Sequence, residues 1–135
     1  MKSTREEPYA TQEEFNKRVI RYRDVPLLEV APGIKVQPIS AEKVMVVFAT
    51  MEPNAQVPLH HHEGEQIMTV MDGAVEYMVA GKIYPLKEGD VAVIPPGIEH
   101  GARVSNRGCR TIEAFSPPRW DYVAKLEAVK KGLKM

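Results

Sequence analysis

The chain has 135 residues, 44% of them apolar, with 18 basic and 18 acidic side chains and a formal net charge of zero. That is one domain's length with enough apolar content for a core, and the charge balance excludes a general electrostatic pull toward nucleic acid or an anionic membrane. The longest apolar runs, such as Val44–Ala49, are far too short to span a bilayer. Met1–Glu7 leads into no apolar run and reads as no secretory signal. The one cysteine, Cys109, cannot pair within the chain, so cytoplasm is the expected location.

Residues 1–33 read as an N-terminal extension, a helix or an edge segment. Thr11-Gln12-Glu13-Glu14 fits a capping box, in which Thr11 and Glu14 each satisfy a free backbone N–H. Phe15, Val19 and Ile20 are then the candidate anchors of a short helix.

Residues 34–116 read as β, with short Val-, Ile-, Met- and Tyr-rich runs between turn signals. The expected strands are Val44–Met51, Val57–His62, Gln66–Met71, Ala74–Val79, Val91–Ile94 and Cys109–Phe115. Asp72-Gly73 reads as a hairpin turn, Gly81-Lys82 as another, and Pro95-Pro96-Gly97 and Pro117-Pro118 as strand ends. Many short strands at close spacing point to a sandwich or barrel. Val44, Val46 and Phe48 share one strand face and Met45, Val47 and Ala49 the other. One apolar face can line a barrel; the other needs a second sheet or a second copy of the chain, which points to a homodimer.

Residues 117–135 read as a helix packed on the barrel. Tyr122, Leu126, Val129 and Leu133 fall on one face, and Lys125, Lys130, Lys131 and Lys134 cluster in the later turns, where cations suit the helix dipole.

The stretch Pro58-Leu59-His60-His61-His62-Glu63-Gly64-Glu65-Gln66 carries the chemistry. Strand alternation aims His60 and His62 the same way and His61 oppositely. Glu63-Gly64-Glu65 reads as a three-residue hairpin loop with Gly64 at positive φ, which would leave His62 and Gln66 flanking the turn on one face. A neighbouring strand after the Pro95–Gly97 turn can bring His100 to the same point. Three imidazoles and one oxygen donor suit one divalent transition metal: Mn, Fe, Ni, Co or Zn.

The chain here resembles the cupins, whose first motif is Gly-(x)5-His-x-His-(x)3-4-Glu-(x)6-Gly. His60, His62 and Gly73 match it, Gln66 stands at the Glu position and Asn54 at the first Gly. Gly89, Pro95, Gly97 and His100 match the second motif, Gly-(x)5-Pro-x-Gly-(x)2-His-(x)3-Asn, with Val104 at the final Asn. The resemblance implies an all-β, single-domain fold, a double-stranded β-helix or jelly-roll barrel over residues 34–116, with a short N-terminal segment and a C-terminal helix. Neutral His and Gln ligands leave an ion's full +2 charge, which favours binding of an oxyanion and disfavours redox chemistry.

Phe115-Ser116-Pro117-Pro118-Arg119, with Pro58-Leu59-His60 and Glu65-Gln66, is further similar to the KdgF-type cupins, which use three His and one Gln and convert 4,5-unsaturated uronates to linear keto sugars. That similarity implies pocket roles for Glu113, Phe115 and Arg119, although the family acid is usually Asp, and Trp120 departs from the acid common there. By parity Glu113 and Phe115 share a strand face. A carboxylate there suits a proton shuttle, and Arg119 suits either a substrate-carboxylate clamp or a structural ion pair. The expected assignment is thus metal ligands His60, His62, Gln66 and His100, catalytic Glu113 and Arg119, and substrate contacts Met68, Phe115 and Arg119. The expected partner is a small carboxylate-bearing sugar acid. The competing readings are a metal-dependent dioxygenase, a lyase, and a sugar- or effector-binding cupin without turnover.

Overall fold

The structure, a computed structural model, describes residues 8–132. Helix α1 (Gln12–Arg18) and a 3₁₀ turn (Tyr22–Asp24) precede eight strands: β1 (Leu28–Ala31), β2 (Ile34–Ser40), β3 (Met45–Met51), β4 (Gln56–His60), β5 (Glu65–Val79), β6 (Lys82–Lys87), β7 (Val91–Ile94) and β8 (His100–Ser116). Helix α2 (Trp120–Lys130) follows. No helix among the described residues is long and apolar enough to cross a membrane.

All pairings are antiparallel, and the two long strands β5 and β8 run side by side through the whole molecule. The second half of β8 lies between β3 and the first half of β5, which carries β7 on its other edge; β1 and β2 extend this sheet beyond β3. The first half of β8 lies between β4 and the second half of β5, with β6 beyond. The two halves form the facing sheets of a jelly roll. The inward residues alternate as a half-buried strand requires: Met45, Val47, Ala49 and Met51 on β3, and Gln66, Met68 and Val70 on β5. Each fully buried aliphatic side chain contributes about 1.5–3 kcal/mol of transfer free energy.

Three sequence expectations change. Asp72-Gly73 is not a hairpin turn: β5 continues through it, with register shifts between Val70 and Asp72 and between Gly73 and Val75. Gly73 has φ +80° and forms a bulge, because β8 keeps pairing on both sides and carries the strand across. Glu63–Glu65 is not a hairpin loop either. β4 pairs with β8 rather than β5, so the link crosses from one sheet to the other. Gly64 is not at positive φ; it is required instead because a Cβ there would sit 2.9 Å from the Pro117 carbonyl oxygen.

At the termini, Thr11 and Glu14 form the expected reciprocal capping box. α1 nevertheless buries no residue, and Val19 and Ile20 are exposed. The outer face of β3 is partly covered by the N-terminal segment, through Tyr22 stacked on Phe48 at 4.1 Å between ring centroids. In α2, Tyr122 and Ala128 are buried and Leu126 half-buried, while Val129 is exposed; Leu133 and Lys134 lie outside the described residues.

Candidate metal centre

His60 and His100 are direct register partners across β4 and β8, so their side chains share the inward face. His62 stands just past the end of β4. Its carbonyl accepts from the Gly97 N–H at 2.9 Å, which ties the link to the proline-glycine turn that leads into His100. Gln66, on the first half of β5, is 2% exposed and reaches across from the opposite sheet. The donor nitrogens of His60, His62 and His100 all lie within 4.8 Å of one another.

The backbone fixes the proton on each ring. His60 Nδ1 donates to the Pro58 carbonyl at 2.9 Å, His62 Nδ1 to the Gly64 carbonyl at 2.9 Å, and His100 Nδ1 to the Ile98 carbonyl at 2.8 Å. A carbonyl only accepts, so each neutral ring carries its hydrogen on Nδ1 and turns an Nε2 lone pair toward the others. Burial lowers the His100 pKa to about 4, helped by His60, His62 and Arg119 and opposed by the Ile98 bond. Burial, then Arg119, also lowers that of His62. Both rings are therefore neutral at pH 7.

Gln66 Oε1 lies 3.0 Å from His62 Nε2, and with that tautomer two acceptors face each other with no hydrogen between them. His100 Nε2 is buried without a hydrogen-bond partner among the described residues. Four lone pairs converging without a proton leave an electrostatic deficit that a cation would fill. The donor set, three imidazoles and an amide oxygen, fits a divalent transition metal.

A polar chain runs away from this point. Gln66 Nε2 donates to Glu113 Oε1 at 2.7 Å and to the Tyr77 hydroxyl at 3.4 Å, and the Thr111 hydroxyl donates to Glu113 Oε2 at 2.7 Å. Glu113 faces inward, being the register partner of Met68. Burial raises its carboxyl pKa, against the Thr111 bond, the Arg119 charge and the Gln66 bond. Burial, then the Glu113 charge, raises the Tyr77 hydroxyl well above its ordinary range, so Tyr77 is a neutral hydrogen-bonding group.

Arg119 lies at the entrance to α2. Its Nε and Nη2 donate to the two carboxylate oxygens of Asp121 at 3.0 and 2.7 Å, and its guanidinium lies 4.2 Å from the Tyr122 ring centroid. The fork that would clamp a substrate carboxylate is thus engaged by Asp121, two residues on in the chain. Phe115 is buried, edge-on to His62 at 5.5 Å, and Met68 is 0% exposed. Neither is among the residues that line the barrel cavity, and neither are His62 and His100.

The cavity has a volume of about 220 Å³ and is lined by His60, Gln66, Tyr77 and Glu113 among apolar strand residues, with Arg119 just before α2 and Asp121, Tyr122 and Lys125 from α2. Sequence reasoning missed Tyr77 and Lys125. The alternation Val75, Tyr77, Val79 placed Tyr77 on the inward face; Lys125 is three residues from Tyr122, one helical turn on.

A family model described as "Cupin domain" matches residues 47–115. Among solved structures, an RmlC-like cupin from Shewanella frigidimarina is similar at 27% identity with a TM-score of 0.73, covering 78% of this chain and 95% of that one. KdgF from Halomonas sp. is similar at 30% identity with a TM-score of 0.69, covering 74% and 93%. The H2HPP isomerase of Bacillus subtilis is 25% identical over 126 residues, 90% of this chain and 51% of that protein. The chain thus spans about half the length of that curated relative.

Proposed function

This chain belongs to the cupin family, and on that premise we propose that it is a metal-dependent enzyme that ketonises an unsaturated or enol sugar acid. The observation that carries the metal reading is the convergence of the Nε2 lone pairs of His60, His62 and His100 with Gln66 Oε1, no hydrogen standing between Gln66 Oε1 and His62 Nε2. The similarity to KdgF, the glutamine in the donor set and a second relative named an isomerase support the isomerase class over a dioxygenase. A bound divalent ion would supply Lewis acidity toward substrate oxygens.

The chain's own residues do the rest. Glu113 sits on the cavity wall, and each of its oxygens keeps a lone pair beyond the bond it accepts, so it takes a proton from an enol oxygen and returns one to carbon. Tyr77 offers a neutral hydroxyl beside it. On the α2 side Arg119 is paired with Asp121, which lines the same cavity, so Lys125 is the cation left to attract an anionic ligand, and Arg119 is held in place by Asp121. The apolar strand residues keep bulk water from the proton in transit.

The test is ¹H NMR of 4,5-unsaturated galacturonate mixed with metal-loaded protein. Loss of the ring form should accelerate by on the order of 10²-fold or more over metal-free protein, since Glu113 is present in both and the difference is the Lewis-acid contribution of several kcal/mol. Equal rates would remove this substrate class.

We propose further that a second copy of the chain covers the outer face of the first sheet. On the outer face of the first sheet, Ile67 pairs with Val93 and Thr69 with Val91. Val91 and Val93 are 55% and 63% exposed, and Ile67 and Met71 are exposed beside them. An apolar strip of this kind suits a two-fold, self-complementary contact. Val93→Glu should halve the mass measured by light scattering and leave the melting temperature of the barrel within a few degrees, since the side chain is outside the core. An unchanged mass would show that another surface joins the copies, or that the chain is a monomer.

A further inference from the structure

The Gln66 amide has two unlike ends, and each faces a partner of fixed sign. Oε1 points at the imidazole lone pairs, 3.0 Å from His62 Nε2, while Nε2 points at Glu113 Oε1, 2.7 Å away. Reversing the amide would set an oxygen against a carboxylate at that distance and aim N–H groups at the point where the imidazoles converge. Glu113 is itself held: the Thr111 hydroxyl donates to its other oxygen at 2.7 Å. Gln66 and Glu113 are diagonal neighbours on one face of the β5–β8 pair, Gln66 opposite Phe115 and Glu113 opposite Met68. The sheet register therefore maintains the contact, with no mobile loop involved.

We propose that Glu113 is a positioning residue that fixes the sense of the Gln66 amide and supplies, one hydrogen bond away, the negative charge that a carboxylate ligand at position 66 would supply directly. The inference rests on the metal reading above and deepens it. A carboxylate behind a donor raises the basicity of that donor toward a metal. Here it acts through an amide: pulling on the N–H shifts electron density toward Oε1. The centre is then not faced by neutral ligands alone, because the Glu113 carboxylate, accepting a hydrogen bond on each oxygen, stands in its second layer.

The proposal makes residues 66 and 113 a coupled pair, testable with Co²⁺ alone. Uptake is measured by competition with a chromophoric chelator, and the visible bands of the bound ion report its donor set. Glu113→Gln keeps the shape of the side chain and both contacts, its amide oxygen accepting from Gln66 Nε2 and its N–H donating to the Thr111 hydroxyl oxygen, and folding is checked by circular dichroism. In the wild-type background it should weaken Co²⁺ binding by about 10–100-fold, the range for loss of an outer partner, and shift the visible bands. In a Gln66→Glu background the same change should cause no weakening, because residue 66 now carries the charge and Glu113→Gln removes a carboxylate–carboxylate contact. Unchanged affinity on Glu113→Gln in the wild-type background, as a pure proton carrier predicts, would overturn the proposal. So would equal weakening in both backgrounds, as a distant charge effect predicts. Failure of wild-type protein to take up Co²⁺ would overturn the metal reading and this inference with it. Uptake by the wild type without the background dependence would overturn this inference alone.

Discussion

Replacing His100 with alanine should abolish stoichiometric metal uptake while leaving a folded barrel. His100 is 1% exposed and is the register partner of His60, and its Nδ1 is bound to Ile98. Its Nε2 can therefore turn nowhere but toward the other donors. The loss should exceed the 10–100-fold typical of an outer partner, because a direct donor is removed and no other side chain can take its place. The fold should survive for a related reason. A buried acceptor without a partner costs about 1–3 kcal/mol, and its removal offsets much of the cavity left by truncation. Elemental analysis of wild type and variant loaded in parallel reads the first effect, and urea unfolding of the metal-free proteins reads the second. Equal metal content in both would show that the imidazoles are a packed cluster and not a binding site.

The second large effect is on the fold. Gly73→Ala should destabilise the protein by about 3–5 kcal/mol, at the upper end of single-residue effects. The backbone there has φ +80°, and a Cβ would sit 2.0 Å from the Gly108 carbonyl oxygen and 2.9 Å from its carbon. Two costs add: a left-handed conformation for a non-glycine residue, and a clash with backbone that no rotamer change relieves. The obstructing atoms belong to β8, the strand that must run beside β5 at the bulge where both pass between the sheets. A fall in melting temperature of about 10 °C or more would follow. A fall of only a degree or two would mean that the bulge can reopen, and that β5 and β8 are less firmly joined there than the contact distances imply.

That the candidate donors come together was legible because the signals that place them are local. His-x-His alternation and a proline-glycine turn before His100 need only strand periodicity and turn chemistry. Asn54 is instructive in the same way. It stands where the family motif has glycine and has φ +64°, and Asn is among the few other residues that enter that region readily. The substitution preserves the conformation that the glycine provides. The errors came where long-range pairing chose between two meanings of one local signal. Asp72-Gly73 suits a hairpin turn and a bulge alike, and β8 running past it decides for the bulge. Glu63–Glu65 joins strands of different sheets, yet His62 and Gln66 meet as expected, since the two sheets face each other across the barrel. Parity turned Glu113 inward, but nothing in the sequence revealed that its oxygens meet Gln66 and Thr111, because those bonds depend on the β5–β8 register. The Arg119–Asp121 fork belongs to the start of a helix whose first residues periodicity does not define.

Helix α2 has a consequence for how such a protein diversifies. The four candidate donors come from strands and the link between them, as does Glu113, whereas the other charged residues of the cavity wall, Arg119, Asp121 and Lys125, lie in one short stretch at the end of the barrel. Changes at a handful of codons can therefore alter that charge while the candidate donor set stays unchanged. A graft of residues 119–125 is the smallest exchange that could retarget the scaffold.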